Sequence, residues 1–205
     1  MKLSKRLNMV ASFIEEDIVD IGCDHGFLDI FLALNKNIKI KAIDISENAL
    51  KSAIDNAKKY KVYEKIEFIV SDGIKNVDIK NETLVITGMG AYTIIDILSN
   101  KKIKENSLIL SAHNNLNILR KYLVKNGYGI KNEVAVFDKK WYVIMKCVKM
   151  NISYTEIDYE VGPIVKNDLK YLEYLLCKEK EISNKKNIKT KKLLMLEKQL
   201  EILKN

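Results

Sequence analysis

A loop with two glycines and an unexpected acid follows the first apolar segment of the chain. The segment Val19-Asp20-Ile21 ends at Gly22, Asp24 and His25 come next, and Gly26 precedes an apolar run. A strand, glycine loop and helix in this order are typical of nucleotide-cofactor sites, where a glycine at the position of Asp24 lets the backbone approach a pyrophosphate. A carboxylate there adds bulk and negative charge. It therefore disfavours a dinucleotide and favours a cofactor that is positively charged and has no phosphate.

Two further acids end later predicted strands. Asp44 lies 22 residues after Gly22, which is the usual step to an acid that binds ribose hydroxyls, and Asp72 follows the third strand. S-adenosylmethionine has a sulfonium, an ammonium and a ribose but no phosphate, so the sequence predicts it as the cofactor. The residues predicted to bind it are Asp20, Gly22, Asp24, Gly26, Asp44, Ile45, Asp72, Gly73, Gly88 and Met89.

The fourth predicted strand ends in a second glycine turn, Thr87-Gly88-Met89-Gly90, followed by Ala91-Tyr92. Methyltransferases that act on exocyclic amines commonly have an Asp/Asn-Pro-Pro-aromatic motif at this place, and the chain has no such motif. Glycines let the backbone approach a flat acceptor closely, which suits a ring nitrogen whose lone pair is already free. A plain tight turn is the alternative.

Strands and helices alternate over the first 150 residues, which indicates an open, mostly parallel α/β sheet with helices on both faces. Apolar spacing predicts strands over 18–23, 38–45, 66–70, 84–87, 108–111, 130–137 and 141–148, and helices over 3–13, 27–34, 46–60, 92–98 and 114–125. Five strands, four of them followed by one of these helices, are thus closed by an antiparallel hairpin, a feature of Rossmann-like class I methyltransferases. Because such sheets bind ligands at the carboxyl ends of their strands, the glycine loop and the acids are expected to meet there.

The chain changes character after Met150. Pro163 is the single proline and is typical of a helix start. Apolar residues then recur at three-and-four spacing in two runs, broken near 183–187, which predicts an antiparallel helical hairpin with a coiled-coil-like seam. We therefore expect a Rossmann-like domain over 1–155 and a helical hairpin over 156–205. A monomer is expected, with self-association through the helices as the alternative.

The formal net charge of +8 is unevenly distributed. Residues 1–99 carry a net charge of −2, residues 100–150 a net +8 and residues 151–205 a net +2. The acid-poor middle segment predicts a polyanionic partner such as nucleic acid. The alternative is a lysine-rich composition whose cations form an ordinary solvated face, because only Arg6 and Arg120 are arginine.

The composition disfavours several other classes of protein. No apolar run approaches the roughly 18 residues of a membrane span, and the first ten residues lack the pattern of a signal peptide, so we expect a cytoplasmic protein with no membrane partner. Cys23, Cys147 and Cys177 are far apart and only two histidines accompany them. We therefore expect neither a disulfide framework nor a metal site.

Several motifs together resemble the bacterial tRNA (adenine-22-N1)-methyltransferase family. They are KLSKRL at 2–7, DIGCDHGFL at 20–28, SDGI at 71–74, ITGMGAYTIIDIL at 86–98 and VGPIV at 161–165, followed by the paired terminal helices. The resemblance runs nearly the full length. It implies a Rossmann-like catalytic domain, S-adenosylmethionine as methyl donor, N1 of a tRNA adenine as acceptor, and a coiled-coil-like C-terminal domain that engages tRNA.

The chain departs from that family at three places. The family's D-H-A-Y-L-P is Asp24-His25-Gly26-Phe27-Leu28-Asp29 here, its double glycine is Gly90-Ala91, and its Q-P-N corresponds to 111–114, where the proline is missing. Because Phe27 cannot donate a hydrogen bond, no catalytic role passes to it.

Attack of the adenine N1 lone pair on a sulfonium methyl needs placement more than a base, and the product ring is cationic. We expect catalytic roles for Asp24, which stabilises this charge or orients the amine end of the cofactor, and for His25, which touches the base or a phosphate. The alternatives are a helix N-cap for Asp24 and a structural hydrogen bond for His25. The residues expected to bind tRNA are Arg6, Tyr92, Asn114, Lys101, Arg120, Lys121, Lys186 and Lys189.

Tyr92 is expected to stack on the flipped adenine, with a place in the core as its alternative. Three other functions fit parts of the same pattern. They are methylation of another RNA, methylation of a small molecule or a protein, and noncatalytic RNA binding.

Overall fold

The computed structural model describes residues 1–100 and 103–204. Its centre is a seven-stranded sheet in the order β3-β2-β1-β4-β5-β7-β6. The strands are β1 (Ile18–Ile21), β2 (Ile40–Asp44), β3 (Ile66–Val70), β4 (Thr83–Met89), β5 (Leu108–Ala112), β6 (Tyr128–Asp138) and β7 (Lys140–Lys149). The first five strands pair in parallel, and β7 is antiparallel to both β5 and β6. The predicted sheet with its C-terminal antiparallel hairpin is confirmed.

Eight α-helices lie in the described residues. They are α1 (Lys5–Phe13), α2 (Phe27–Asn35), α3 (Glu47–Lys59), α4 (Ala91–Leu98), α5 (Leu116–Lys125), α6 (Glu156–Glu160), α7 (Leu169–Lys186) and α8 (Lys191–Lys204). Ser46 caps α3 as predicted, because its Oγ accepts a hydrogen bond from the Ala49 N–H at 3.2 Å. Ser4 caps α1 in the same way.

The helices cover both faces of the sheet, as predicted. Ile18 of β1 belongs to the core cluster under α1, α2 and α3, whereas Val19 and Ile21 belong to the cluster under α4, α5 and the C-terminal helices. Since successive side chains of a strand point to opposite faces, Asp20 lies on the α2 side with Ile18. This alternation places an acid inside an otherwise apolar layer.

Helices α7 and α8 form an antiparallel hairpin that packs on the sheet. Lys204 near the end of α8 pairs with Glu173 near the start of α7 at 3.5 Å, so the two helices run in opposite directions, as predicted. The Trp141 ring of β7 lies 5.4 Å from the Tyr171 ring of α7. The leucines that join this segment to the core of the sheet are Leu172, Leu176, Leu193 and Leu196.

After β3, residues 71–82, which contain Gly73 and several Asp and Asn residues, form turns. One predicted feature is wrong, because no helix begins at Pro163. That residue lies between α6 and the short 3₁₀ turn Val165–Asn167, and α7 begins only after Asp168, whose side chain accepts the Tyr171 N–H. Within the described ranges, no helix is both long and apolar enough to cross a membrane.

Candidate active site

The glycine loop between β1 and α2 lies where the strand order reverses. β1 stands between β2 and β4, so the connections on its two sides leave a crevice at the carboxyl ends of these strands. Gly22 (φ 81°) and Gly26 (φ 68°) have left-handed backbone conformations that favour glycine. A Cβ atom on Gly26 would lie 2.9 Å from the Cβ of Ala53, so this glycine lets α2 approach α3.

Asp44 at the end of β2 holds the loop in place. Its Oδ2 accepts a hydrogen bond from the backbone N–H of Asp24 at 3.1 Å, and its Oδ1 accepts one from the N–H of Ser46 at 2.9 Å. Each carboxylate oxygen has a second lone pair, so Asp44 retains the capacity to accept ribose hydroxyls. Its binding role stays a prediction.

Asp24 and His25 stand at the tip of the loop. Asp24 has a φ of 52°, its side chain is 73% exposed, and its Oδ1 lies 3.7 Å from Nε2 of His25. The N-cap of α2 is Gly26, and no side chain caps this helix. The alternative role of Asp24 as a helix cap is therefore wrong, and its carboxylate is available to a ligand.

A cavity of about 320 Å³ opens beside this loop. The predicted residues that line it are Arg6, Asp20, Gly22, Asp24, His25 and Gly88. Residues without a predicted role also line it, namely Leu7, Cys23, Phe27, Leu28, Thr87, His113 and Tyr142. The fold thus brings both predicted catalytic residues together with Arg6 and with part of the predicted cofactor set.

Two larger depressions, of about 900 and 1210 Å³, lie at the opposite edge of the sheet. The first is lined by Ile18, Ile40 and Ile66, which begin their strands, and the second by segments that precede β4 and β5. Because parallel α/β sheets bind ligands at the carboxyl ends of their strands, position and chemistry select the smaller cavity as the candidate active site.

Two cationic side chains lie against the ring of Tyr142 of β7 at the cavity. The Arg6 guanidinium carbon lies 5.1 Å and the Lys140 ammonium nitrogen 5.2 Å from the centre of its ring, and the His113 ring centre lies 6.2 Å away. Cations within about 6 Å of an aromatic ring are attracted by its π face. These residues come from α1, β7 and the connection after β5, so only the folded chain brings them together.

Asp20 and Asp29 are buried beneath the same cavity, 4% and 0% exposed. Burial raises the pKa of Asp20 to about 7, which the Asp44 carboxylate reinforces and Arg6 opposes. Burial also raises the pKa of Asp29 well above its usual range. Asp20 lies where the sequence predicts it. Asp29 was missed, because an acid inside an apolar helical run carries no spacing signal of its own.

The other predicted cofactor residues lie along the neighbouring strand ends. Met89 contacts Gly22 through its methyl group, and a Cβ atom on Gly88 would lie 3.6 Å from the Arg6 guanidinium. Asp72 is exposed and pairs with Lys75. The predicted cofactor residues that do not line the cavity are Gly26, Asp44, Ile45, Asp72, Gly73 and Met89. Their contact with a cofactor stays a prediction.

The prediction that Arg120 binds tRNA is wrong. Arg120 and Glu133 are both 0% exposed in their side chains, and Nη2 of Arg120 lies 2.8 Å from Oε1 of Glu133. Arg120 also donates to the Tyr159 carbonyl, while Oε2 of Glu133 accepts the N–H groups of Ile164 and Val165. This ion pair ties α5 and β6 to the segment that follows α6, so its charge acts inside the fold.

The remaining residues predicted to bind tRNA lie on the surface or outside the described ranges. Lys121 and Lys186 are exposed, Lys189 pairs with Glu197 at 2.9 Å, and Lys101 lies outside the described residues. Tyr92 at the start of α4 is 62% exposed, so its alternative place in the core is wrong. Asn114 accepts the Ala91 N–H at 3.4 Å and thereby joins the connection after β5 to the start of α4.

Metal-binding groups of three or more His, Cys, Asp or Glu side chains are absent from the described part of the chain. The acids Asp20 and Asp24 at the cavity suit a positively charged group of a ligand.

Comparison with known proteins adds four relationships. Residues 3–145 match the methyltransferase domain family. A Mycoplasma genitalium protein named as a candidate tRNA methyltransferase is 38% identical over 144 residues, which is 68% of this chain and spans 65% of that protein's length.

Two solved structures match almost the whole chain. TrmK of M. capricolum, in complex with S-adenosyl-homocysteine, is 29% identical with a TM-score of 0.78, over 100% of this chain and 97% of that one. The m1A22 tRNA methyltransferase TrmK of B. subtilis is 26% identical with a TM-score of 0.79, over 99% and 97%.

Proposed function

We propose that this chain, which belongs to the methyltransferase domain family, transfers a methyl group from S-adenosylmethionine to N1 of an adenine in tRNA. The observation that carries the proposal is the acidic glycine loop, which lines a cavity at the carboxyl ends of β1 and β4. The names of the relatives support it. One solved relative is named for adenine 22 of tRNA, and another contains S-adenosyl-homocysteine, so position 22 is the proposed target.

We assign the binding site of the methyl donor to the strand ends around the glycine loop. When bound, S-adenosylmethionine supplies an electrophilic methyl group on a positively charged sulfur. The carboxylates of Asp20 and Asp24 attract this charge and the donor's ammonium group, and Asp44 has acceptor capacity left for ribose hydroxyls. Ile45, which is 67% exposed, offers apolar surface for the adenine ring of the donor.

The chain needs to supply placement rather than a base for the acceptor. Adenine N1 has a lone pair at neutral pH, so the work of the site is to hold N1 in line with the methyl group and to exclude water. Methylation leaves a positive charge on the ring, which the Asp24 carboxylate stabilises as it develops. His25 lies beside Asp24 and contacts the target base or a neighbouring phosphate.

An aromatic platform is required because N1 of a paired or stacked base is inaccessible until the base leaves its stack. Tyr142 lines the cavity, whereas Tyr92 stands on the surface at the start of α4. The position of Tyr142 favours it over Tyr92 as the ring against which the flipped adenine lies. Arg6, whose guanidinium already contacts Tyr142, is then placed to bind an adjacent phosphate.

The remaining basic residues provide the surface for the tRNA backbone. We assign this role to Lys101, Lys121, Lys186 and Lys189, with Asn114 near the acceptor. Residues 1–155 then carry catalysis, and the helical hairpin over 156–205 extends the contact with tRNA. The protein is expected to act as a cytoplasmic monomer.

One assay tests the proposal against its rivals. Purified protein is incubated with labelled S-adenosylmethionine and unmodified tRNA, which is then digested to nucleosides, and the proposal expects label in N1-methyladenosine. Label confined to a small molecule or a protein indicates another acceptor class, and tRNA binding without transfer indicates a noncatalytic RNA-binding protein. Either result contradicts the proposal.

The matched variant for this assay is Asp24→Asn. The Asp24 carboxylate is exposed and outside every helix cap, so its loss should slow methyl transfer by about tenfold or more while the fold stays intact. Near-normal transfer by a variant that binds the donor normally would refute the charge role of Asp24.

A further inference from the structure

Two buried acids lie together under the candidate active site. Asp20 of β1 and Asp29 in the first turn of α2 are buried on the same face of the sheet, and their carboxyls are close enough for each to shift the pKa of the other. Only Asp20 reaches the cavity. The pair therefore has one member that can meet a ligand and one that cannot.

A hydrogen bond between these two carboxyls requires a proton on one of them. Two ionised carboxylates are acceptors only, and neither oxygen of Asp29 has a donor among the described residues when the group is treated as ionised. An ionised carboxylate that is fully buried and lacks a donor is strongly unfavourable. The pair therefore holds a proton.

The surroundings place this proton on Asp29. Asp29 is 0% exposed, whereas Asp20 borders the cavity and feels the positive charge of Arg6 from α1. Burial raises the pKa of both carboxyls, and that of Asp29 lies well above its usual range. The other titratable groups near the pair are Asp44 from β2 and the Cys23 thiol from the loop, whose pKa is raised by burial.

We propose that Asp29 is a positioning residue that stays protonated, donates its O–H to the Asp20 carboxylate, and keeps the charge of Asp20 directed at the ammonium group of the methyl donor. This inference rests on the proposed function, because it takes the donor to be S-adenosylmethionine. Asp29 then contacts no ligand and acts only through Asp20.

The arrangement links donor binding to a proton. Below neutral pH a second proton neutralises Asp20, and the attraction for the ammonium group is lost. Affinity for the donor should therefore fall as the pH falls and level off above neutrality. Histidine side chains in general change charge in the same range, and His25 and His113 also line the cavity, so the informative quantity is the shift of the midpoint between variants.

The test uses S-adenosyl-homocysteine, which has the same ammonium group but no sulfonium, and measures its dissociation constant by calorimetry from pH 5.5 to 8.5. Asp29→Asn keeps a donor toward Asp20, so we expect an affinity within about threefold of wild type and an unchanged midpoint. Asp29→Leu removes the donor. It should weaken binding about tenfold at pH 7 and move the midpoint upward by about one unit.

The outcomes separate the inference from the proposed function. If the wild-type protein binds no S-adenosyl-homocysteine at any pH, the proposed function fails and the inference fails with it. If it binds but Asp29→Leu retains the wild-type midpoint, only the inference is overturned.

Infrared difference spectra keep the inference testable if Asp29→Leu does not fold. We expect the carbonyl band of a protonated carboxyl in the wild type at pH 8 and its loss in Asp29→Asn. Absence of the band from the wild type, or its persistence in that variant, contradicts the proposal.

Discussion

Two pairs of ionisable side chains are buried in the described part of this protein, and they differ in whether their charges balance. Arg120 of α5 pairs with Glu133 of β6, and Glu133 also accepts hydrogen bonds from two N–H groups of the segment after α6. Asp20 and Asp29 lie between β1 and α2, and both are acids.

The difference separates a structural pair from a functional one. A pair whose charges balance and whose hydrogen bonds are made can be buried away from any ligand. Arg120 and Glu133 form such a pair. A pair with surplus negative charge costs stability, and such pairs persist where an arriving cation completes them. Asp20 borders the candidate active site, so the donor's ammonium group is the cation that we assign to it.

Breaking the balanced pair should have the largest effect. Arg120→Met leaves Glu133 buried without its cation and should lower the free energy of unfolding by about 3–5 kcal/mol, measured by urea denaturation. The neighbouring Lys121→Met is the control, because Lys121 is exposed. A loss of less than about 1 kcal/mol from Arg120→Met would place the pair among weak surface interactions.

Neutralising the unbalanced pair should affect binding instead of folding. Asp20→Asn removes the charge but retains an oxygen that accepts the O–H of Asp29. The dissociation constant of S-adenosyl-homocysteine should rise about 10- to 100-fold, because a charged hydrogen bond contributes about 1.5–3 kcal/mol. Stability should fall by no more than about 1 kcal/mol. An unchanged dissociation constant, or unfolding comparable with that of Arg120→Met, contradicts the comparison.

The unbalanced pair should also give stability an unusual dependence on pH. Since the pKa of Asp20 is raised to about 7 in the folded chain, that chain binds more protons than the unfolded one between roughly pH 4 and 7. The contribution of Asp20 to stability therefore decreases as the pH rises through this window and is constant above it. Between pH 5 and pH 8 the free energy of unfolding, measured by denaturation at both pH values, should decrease more for the wild type than for Asp20→Asn. An equal decrease in both would exclude a raised pKa at Asp20.

The smallest effect is expected at the residue beside the balanced pair. Lys121 follows Arg120 on α5 but is exposed, so Lys121→Ala should change the free energy of unfolding by less than about 1 kcal/mol. If Lys121 binds a tRNA phosphate, the slope of log affinity against log salt should decrease by about one. Filter-binding titrations at several salt concentrations measure this slope. An unchanged slope removes Lys121 from the proposed surface.

The sequence was sufficient where a local pattern carries the information. The glycine loop, the mostly parallel sheet indicated by strand-helix alternation and the antiparallel hairpin that closes this sheet all depend on short-range periodicity, and each is confirmed. The start of α7 differs from the predicted one, because Pro163 predicts a helix start but Asp168 supplies the cap.

The candidate site was less predictable because its members meet only in three dimensions. Tyr142 and His113 reach the cavity from β7 and from the connection after β5, and nothing in their local sequence marks them. Arg120 is a cation in a segment rich in cations, so its position in the sequence does not show that it is buried, and only its contact with Glu133 identifies it as structural. Asp29 shows the same limit, since its meaning depends on the acid across from it.

The central claim, methylation of N1 at adenine 22, is tested most directly by mapping the modified nucleotide on intact tRNA. N1 lies on the Watson–Crick edge, so its methylation stops reverse transcription next to the modified base. When the tRNA has been incubated with the protein and S-adenosylmethionine, we expect reverse transcription to show a new stop at position 22. This stop should be lost when the adenine is replaced by guanine. A stop elsewhere, or none on a tRNA that the protein binds, would contradict it.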